Sequence, residues 1–447
     1  MKKPIKAAII GAGITGLTAA MNLCRAGFRV SIFEKEPFAG GLCANFAEKP
    51  GYDTFERFYH HLLTSDDAAI RLFADLGLKN QLEWLPPANA FICEGKTFKF
   101  SNPVDLLRFE PVSPLRRLLT GLQILGTRYI RDWKPLAHTT AADWVSRHAG
   151  RQVYRKIWQP LLKAKFGDES ERIAAMWLAN KIRLRGSSQK AGFAGERLGY
   201  PRGGFSILVN AILKNLHAAG AEIFTGEPVR HIGFIPGSDR GGHEKFTLTT
   251  AERNENFDSI LSTIAPGTMA ELMPQQPEAT RRSWKKIKYQ ASLCLTLELD
   301  CSLSPWYWTT VADPDYPFVA VIEHTNLIPP ERYGCHIVYV SSYVNPEGAL
   351  FQSSDDHICQ LYETALKRLL PRFGRARILG RHLSRAEHAQ PVVTLDYATM
   401  VPEIRTPVEN CWMASMAQIF PEDRGINYAI RLANEVSQTI IASERHR

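Results

Sequence analysis

An apolar run, Ala7-Ala8-Ile9-Ile10, leads straight into Gly11-Ala12-Gly13-Ile14-Thr15-Gly16, and a second apolar run over 29–33 ends on the acidic Glu34. This pattern predicts a strand, a tight turn, a helix over 17–26 and a parallel second strand. Gly11 lets the chain turn. Gly13 leaves the backbone open to an approaching pyrophosphate, and Gly16 lets the helix pack close to the strand. Ile14 and Thr15 lead into that helix, whose free N–H groups and dipole favour phosphate. Glu34 is placed to accept hydrogen bonds from ribose hydroxyls, with Lys35 beside it. An acid there repels a 2′-phosphate, which disfavours an NADP-type ligand. A secretory signal is rejected: Met1-Lys2-Lys3 precede an apolar run, but the glycines interrupt it and no small-residue cleavage site follows.

With 447 residues the chain is too long for one small core, and two or more domains are expected. Charged residues at 22% and apolar ones at 45% are ordinary for a globular protein. No run of about 18 apolar residues occurs, so no transmembrane helix is predicted. The eight cysteines are scattered without a CxxC pair, which fits buried thiols in a reducing cytosol. No histidine spacing suits a metal, and none is expected. The net charge of +9 suits an anionic membrane face or a phosphorylated substrate. The positive residues form no basic arm, so nucleic acid is ranked last as a partner.

Strand and helix alternate over 5–80, and 104–182 reads as almost wholly helical. A loop rich in Gly, Ser and Lys, 186–199, leads to Pro201-Arg202-Gly203-Gly204-Phe205. Strands are predicted over 222–224, 229–232, 245–250 and 257–264, with a hairpin loop at 237–242. From 289 to 343 long alternating strands predict a broad antiparallel sheet. A helix follows over 356–370, then a strand at 411–414 and a helix over 425–442.

Four stretches resemble the flavin-dependent superfamily of amine oxidases, protoporphyrinogen oxidases and phytoene desaturases. They are the fingerprint with Glu34 and Gly40-Gly41, the Pro-Arg-Gly-Gly segment, the strand ending at Ala265-Pro266, and 410–436. Trp158-Gln159-Pro160-Leu161 and Lys165-Phe166-Gly167 look more like the protoporphyrinogen oxidase branch. The resemblance implies an α/β fold with a Rossmann-like FAD-binding domain in three pieces (1–100, 200–285, 390–447). It also implies a substrate domain, 101–199 with 286–389, carrying a large mixed or antiparallel sheet and a helical insertion. It implies non-covalent FAD, held by Gly11, Gly13, Ile14, Thr15, Gly16, Glu34, Lys35, Gly40, Gly41, Leu42, Gly203, Gly204, Val229, Ala265, Ser415, Ile426, Asn427 and Ala429. Where the family has Gly-Asp after its last strand, this chain has Ser415-Met416, so Ser415 or backbone groups must replace the ribityl-binding acid.

The implied chemistry is hydride transfer from a bulky, partly apolar substrate to flavin N5, with positive potential near N1–C2=O. Arg57, His60, His61, Arg424 and Tyr428 are the catalytic candidates. His60 and His61 alternate if extended, so at most one faces the flavin. An amine oxidase is the weaker alternative, because 289–297 lack that group's lysine. A galactopyranose mutase-like enzyme acting on a nucleotide sugar stays open, as does a non-enzymatic binder like the GDP-dissociation inhibitors. Leu115, Leu118, Leu119, Leu122, Leu125, Tyr129 and Trp133 share one helical stripe flanked by arginines. The stripe is read first as domain core with a wet rim, and second as a membrane-surface helix over 115–133 admitting a lipid-like substrate. The expected location is the cytoplasm, free or at a membrane face.

Overall fold

The computed structural model describes residues 4–47, 49–188, 196–235 and 245–445. A five-stranded parallel sheet runs in the order Cys411–Met413, Ser259–Ser262, Lys6–Ile10, Arg29–Glu34, Glu222–Thr225. Its central strands are apolar on both faces because both faces are covered. Ala7 and Ile9 join one core with the helices Ile14–Arg25, Ser206–Ala218 and Ile426–Arg445. Ala8 and Ile10 point the other way, onto an antiparallel meander of His231–Phe234, Phe246–Thr249 and Asn254–Phe257. The strand expected over 257–264 is therefore two. The chain changes sheets at Asp258, whose carboxylate accepts the Lys6 N–H at 2.7 Å.

A seven-stranded sheet runs Ile378–Pro391, Tyr289–Leu299, His336–Val344, Ala320–Glu323, Trp308–Val311, Asn89–Cys93, Lys96–Lys99. It is antiparallel except where Trp308–Val311 lies parallel to Asn89–Cys93. The hairpin 89–99, grouped with the nucleotide-binding segment in the sequence reading, thus pairs with this larger sheet. Its two-residue turn is Glu94-Gly95, both at positive φ. One face of the sheet packs Leu293, Leu295, Leu297 and Val340 under the helix Asp355–Leu369. The other face sends Cys294, Tyr307, Ile337 and Tyr339 into the same core as Phe55, Tyr200 and Phe205. The two sheets therefore meet across the segment 54–61.

The helical stretch holds its own core around Phe109, Val145, Phe166 and Trp177. One helix, Pro114–Gly126, is turned against expectation. Thr120 and Thr127 face inward at 2% and 1% exposure, while Leu115, Leu118, Leu122, Leu125 and Tyr129 stand out at 64%, 54%, 56%, 51% and 80%. The preferred reading of the stripe as domain core is corrected: only Leu119 and Trp133 are half-buried. A hydroxyl on Thr120 bonds back to the Arg116 carbonyl at 2.7 Å, so an inward threonine needs no outside partner. The expected loop 186–199 falls partly outside the described residues, with helix Ala175–Ser188 before the gap and strand Leu198–Pro201 after it. The hairpin loop 237–242 lies outside them. Among the described residues no helix is long and apolar enough to cross a membrane.

Candidate functional site

The glycines of the first turn divide into two kinds. A Cβ on Gly11, at φ +103°, would lie 2.5 Å from Thr263 Oγ1, and one on Gly16 would lie 2.0 Å from the Gly11 carbonyl oxygen. These two positions are closed by the protein itself. A Cβ on Gly13 would meet nothing within 4 Å. Gly13 is the N-cap of helix Ile14–Arg25 at an ordinary φ of −73°, so its lack of a side chain is not a backbone requirement. It borders an open approach to the helix N-terminus, where a diphosphate would be bound. Gly40 and Gly41 cross beside it: the Gly40 N–H donates to the Ala12 carbonyl at 2.8 Å, and a Cβ on Gly41 would be 3.1 Å from Gly13 Cα.

Glu34 ends the second strand with its carboxylate turned back. It accepts from Ala12 N–H at 2.8 Å and Glu36 N–H at 3.0 Å, which fixes it beside the turn. Ser415 follows the last parallel strand, and its buried hydroxyl has no protein partner. An orphaned polar atom after the last parallel strand, together with the open Gly13 approach after the first, lies at the carboxyl edge of the sheet and fits a dinucleotide coenzyme. Leu42 lies in the single turn Gly41–Cys43, and Lys35 is exposed beside Glu36. Val229 and Ala265 are half-buried, Val229 two residues ahead of its strand.

Three expected cofactor contacts are engaged by protein. Gly203 and Gly204 both have positive φ, and a Cβ on Gly204 would lie 2.7 Å from the Thr54 carbonyl. This pair presses on the segment 54–56. Asn427 Oδ1 accepts from Ala68 and Ala69 N–H at 2.9 and 3.1 Å, and so caps the helix Asp67–Asp75. Its side chain is committed to that helix, which leaves the backbone of Ile426, Asn427 and Tyr428 as the free donors of the last helix.

Sequence reasoning passed over Glu56. It is fully buried, accepts from Tyr200 Oη at 3.0 Å and from Phe205 N–H at 2.7 Å, and burial pushes its carboxyl up to about 7 against those donors. Tyr339 Oη donates to its carbonyl at 3.0 Å, tying the large sheet to this segment.

The catalytic candidates separate. His60 Nδ1 is 2.7 Å from the Phe58 carbonyl, and burial, aided by Arg424, lowers its pKa to about 4, so it is neutral at pH 7. His61 points elsewhere, with Nδ1 3.1 Å from Tyr307 Oη. Arg57 lies over the Phe38 ring at 4.2 Å, and Tyr428 lies under Arg431 at 4.9 Å. Arg424 donates to Tyr343 Oη at 2.7 Å. Beside it Asp423 receives Lys165 at 2.9 Å on both oxygens and forms an ion pair with Lys181. Burial alone would raise the Asp423 pKa, but the two lysines outweigh it and hold the carboxyl far below the carboxylate range. From sequence, Lys165 entered only within the Lys165-Phe166-Gly167 resemblance and Lys181 not at all. They reach Asp423 across 258 and 242 residues, a pairing that no local pattern announces.

The sequence profile of the flavin containing amine oxidoreductase family matches residues 14–403. The chain is 24% identical over 338 residues to a phytoene desaturase of Neurospora crassa, covering 68% of this chain and 55% of that protein. It spans about half the length of the curated relatives it matches. Its fold is similar to the crystal structure of a putative protoporphyrinogen oxidase from Exiguobacterium sp. 255-15, with TM-score 0.76, 16% identity and 99% of each chain covered. It is also similar to a reduced UDP-galactopyranose mutase, with TM-score 0.73, 14% identity and 98% and 96% covered. At such identities the structures speak for the fold.

Proposed function

This chain belongs to the flavin-containing amine oxidoreductase family, and from that premise we propose that it is an FAD-dependent oxidoreductase that dehydrogenates a bulky, partly apolar substrate. The observation that carries the reading is the contrast between Gly13, open on its ligand side, and Gly11 and Gly16, closed by protein. The Gly11–Gly16 turn and Gly40-Gly41 would hold the diphosphate, Glu34 the ribose, and Ser415 with the first turn of Ile426–Arg445 the far half. Bound FAD supplies a two-electron hydride acceptor. Around it the chain provides a fixed positive field from Arg424, a neutral imidazole at His60, and a wall of buried tyrosines that excludes water. The purified protein should be yellow, and anaerobic addition of a substrate should bleach it. A colourless protein that takes up no added FAD would overturn the reading. A mutase would need prior chemical reduction before turnover.

The leucine face supports a bilayer as the source of such a substrate. Of the twelve exposed large hydrophobics among the described residues, seven lie between Val104 and Tyr129. Residues 114–131 carry four arginines and no acid, which complements an anionic lipid surface. Each half-exposed leucine transferred into the interface contributes about 1 kcal/mol. The Leu118→Glu/Leu122→Glu double variant should therefore sediment with phosphatidylglycerol-containing vesicles at least tenfold less than the parent. Equal sedimentation, or a leucine-dependent dimer in the absence of lipid, would remove the bilayer.

A further inference from the structure

Two lysines converge on a single carboxylate beside the proposed flavin site, and an arginine side chain follows it in the chain. Lys165 comes from helix Gln159–Phe166, Lys181 from helix Ala175–Ser188, and Asp423 with Arg424 from the loop that enters the last helix. Asp423 is held ionised by the two lysines. Arg424's bonded partner outside its own loop is the neutral hydroxyl of Tyr343. The walls are aromatic: Lys165 Nζ lies 5.2 Å from the Trp177 ring and 5.4 Å from Tyr343, and Lys181 Nζ lies 5.1 Å from Trp177.

Two buried donors at the same place have no acceptor: Trp177 Nε1 and Arg424 Nε. Buried donors are normally satisfied, and beside Lys165 and Arg424 an acceptor that carries negative charge is favoured. The missing partner is therefore an acceptor with negative charge. The lysine side chains remain 14% and 29% exposed, so a ligand can reach them. Arg424 also sits where it depresses the neighbouring His60, which places the cluster against the segment 54–61 rather than on a remote surface.

We propose that Lys165, Lys181 and Arg424 form the subsite that binds the anionic group, carboxylate or phosphate, of an otherwise apolar substrate. The proposal rests on the FAD-dependent reading above for what lies next to this subsite. Asp423 acts on the lysines as a positioning residue. It holds both ammonium groups together, and Arg424 is the next residue in the chain.

The test uses the FAD-loaded protein and three probes with one chain length: octanoate, octyl phosphate and octanol, titrated by calorimetry. At least one anionic probe should bind ten or more times tighter than octanol, and which one does so assigns carboxylate or phosphate. Lys165→Met/Lys181→Met should abolish that preference while keeping its flavin. Lys181→Gln leaves the Lys165–Asp423 pair in place and should reduce the preference about fivefold, so a double variant that fails to fold leaves the question answerable. Equal binding of octanol and both anions by the parent protein, or an anionic preference unchanged in Lys181→Gln, would overturn the subsite. A protein that takes up no FAD would instead overturn the functional reading, and the same three titrations on that FAD-free protein would still decide the subsite.

Discussion

Gly13→Val should give a folded, colourless protein. The backbone at Gly13 has φ −73° and ψ 175°, which valine adopts without strain. No protein atom lies within 4 Å of the added Cβ, so the fold has no objection to it. The isopropyl group would instead fill the approach to the N-terminus of helix Ile14–Arg25, where the diphosphate must come within hydrogen-bonding distance of the backbone. A loss of at least a hundredfold in FAD affinity is expected, about 3 kcal/mol. Gly16→Val is the control with the opposite outcome. Its Cβ would collide with the Gly11 carbonyl oxygen at 2.0 Å, so that variant should fail to fold. Visible absorbance, circular dichroism and gel filtration on the two proteins read the result. A full complement of flavin on Gly13→Val would move the diphosphate elsewhere.

Removing the Glu56 carboxylate should cost about 3–5 kcal/mol, because Glu56→Ala leaves Tyr200 Oη and Phe205 N–H buried without an acceptor and opens a void beside Gly204. The same residue gives stability a pH dependence whose sign is fixed. Its folded pKa of about 7 lies above the ordinary 4.5, so the native state holds the proton more tightly than the unfolded chain. Stability is then highest below the ordinary value, falls as pH rises towards 7, and is flat above, a total of about 3 kcal/mol. Asp66, raised to about 6 by burial, adds a slope of the same sign. Glu56→Gln keeps one acceptor oxygen and cannot titrate. Urea midpoints at pH 5 and pH 7.5 should therefore converge in that variant relative to the parent. An undiminished difference would assign the slope to Asp66 or another group.

What was legible in the sequence is what local geometry dictates. Gly11, Gly13, Gly16 and Glu34 lie within one crossover, and each has a physical task readable from its neighbours. The large sheet was legible from alternation, though its 89–99 hairpin was not, since Glu94-Gly95 is a brief turn signal between a short apolar run, Ala90 to Cys93, and a mainly polar one. Periodicity disclosed that Pro114–Gly126 has an apolar stripe. It carries no information on which side the rest of the protein will stand, and the inward side proved to be the threonines. Gly203-Gly204 looked like a ligand loop because glycine pairs with positive φ serve ligands and tight chain crossings alike, and here Thr54 and Glu56 occupy the space. The Lys165–Asp423–Lys181 cluster was beyond reach because its members come together only in the finished fold.

The parallel sheet draws its strands from 6–10, 29–34, 222–225, 259–262 and 411–413, and Asn22 clasps Asn434 at 2.9 Å. On the ribosome, then, the glycine turn emerges about 400 residues ahead of Ser415 and the last helix. At about 5–20 residues per second, the nascent chain carries an unfinished coenzyme cradle for roughly 20–80 s and a bare strand edge for roughly 12–50 s. Coenzyme loading therefore waits for the last helix. During that interval the bare edge of Lys6–Ile10 must be shielded, by a chaperone or by the chain's own collapse, until Ser259–Ser262 arrives to pair with it.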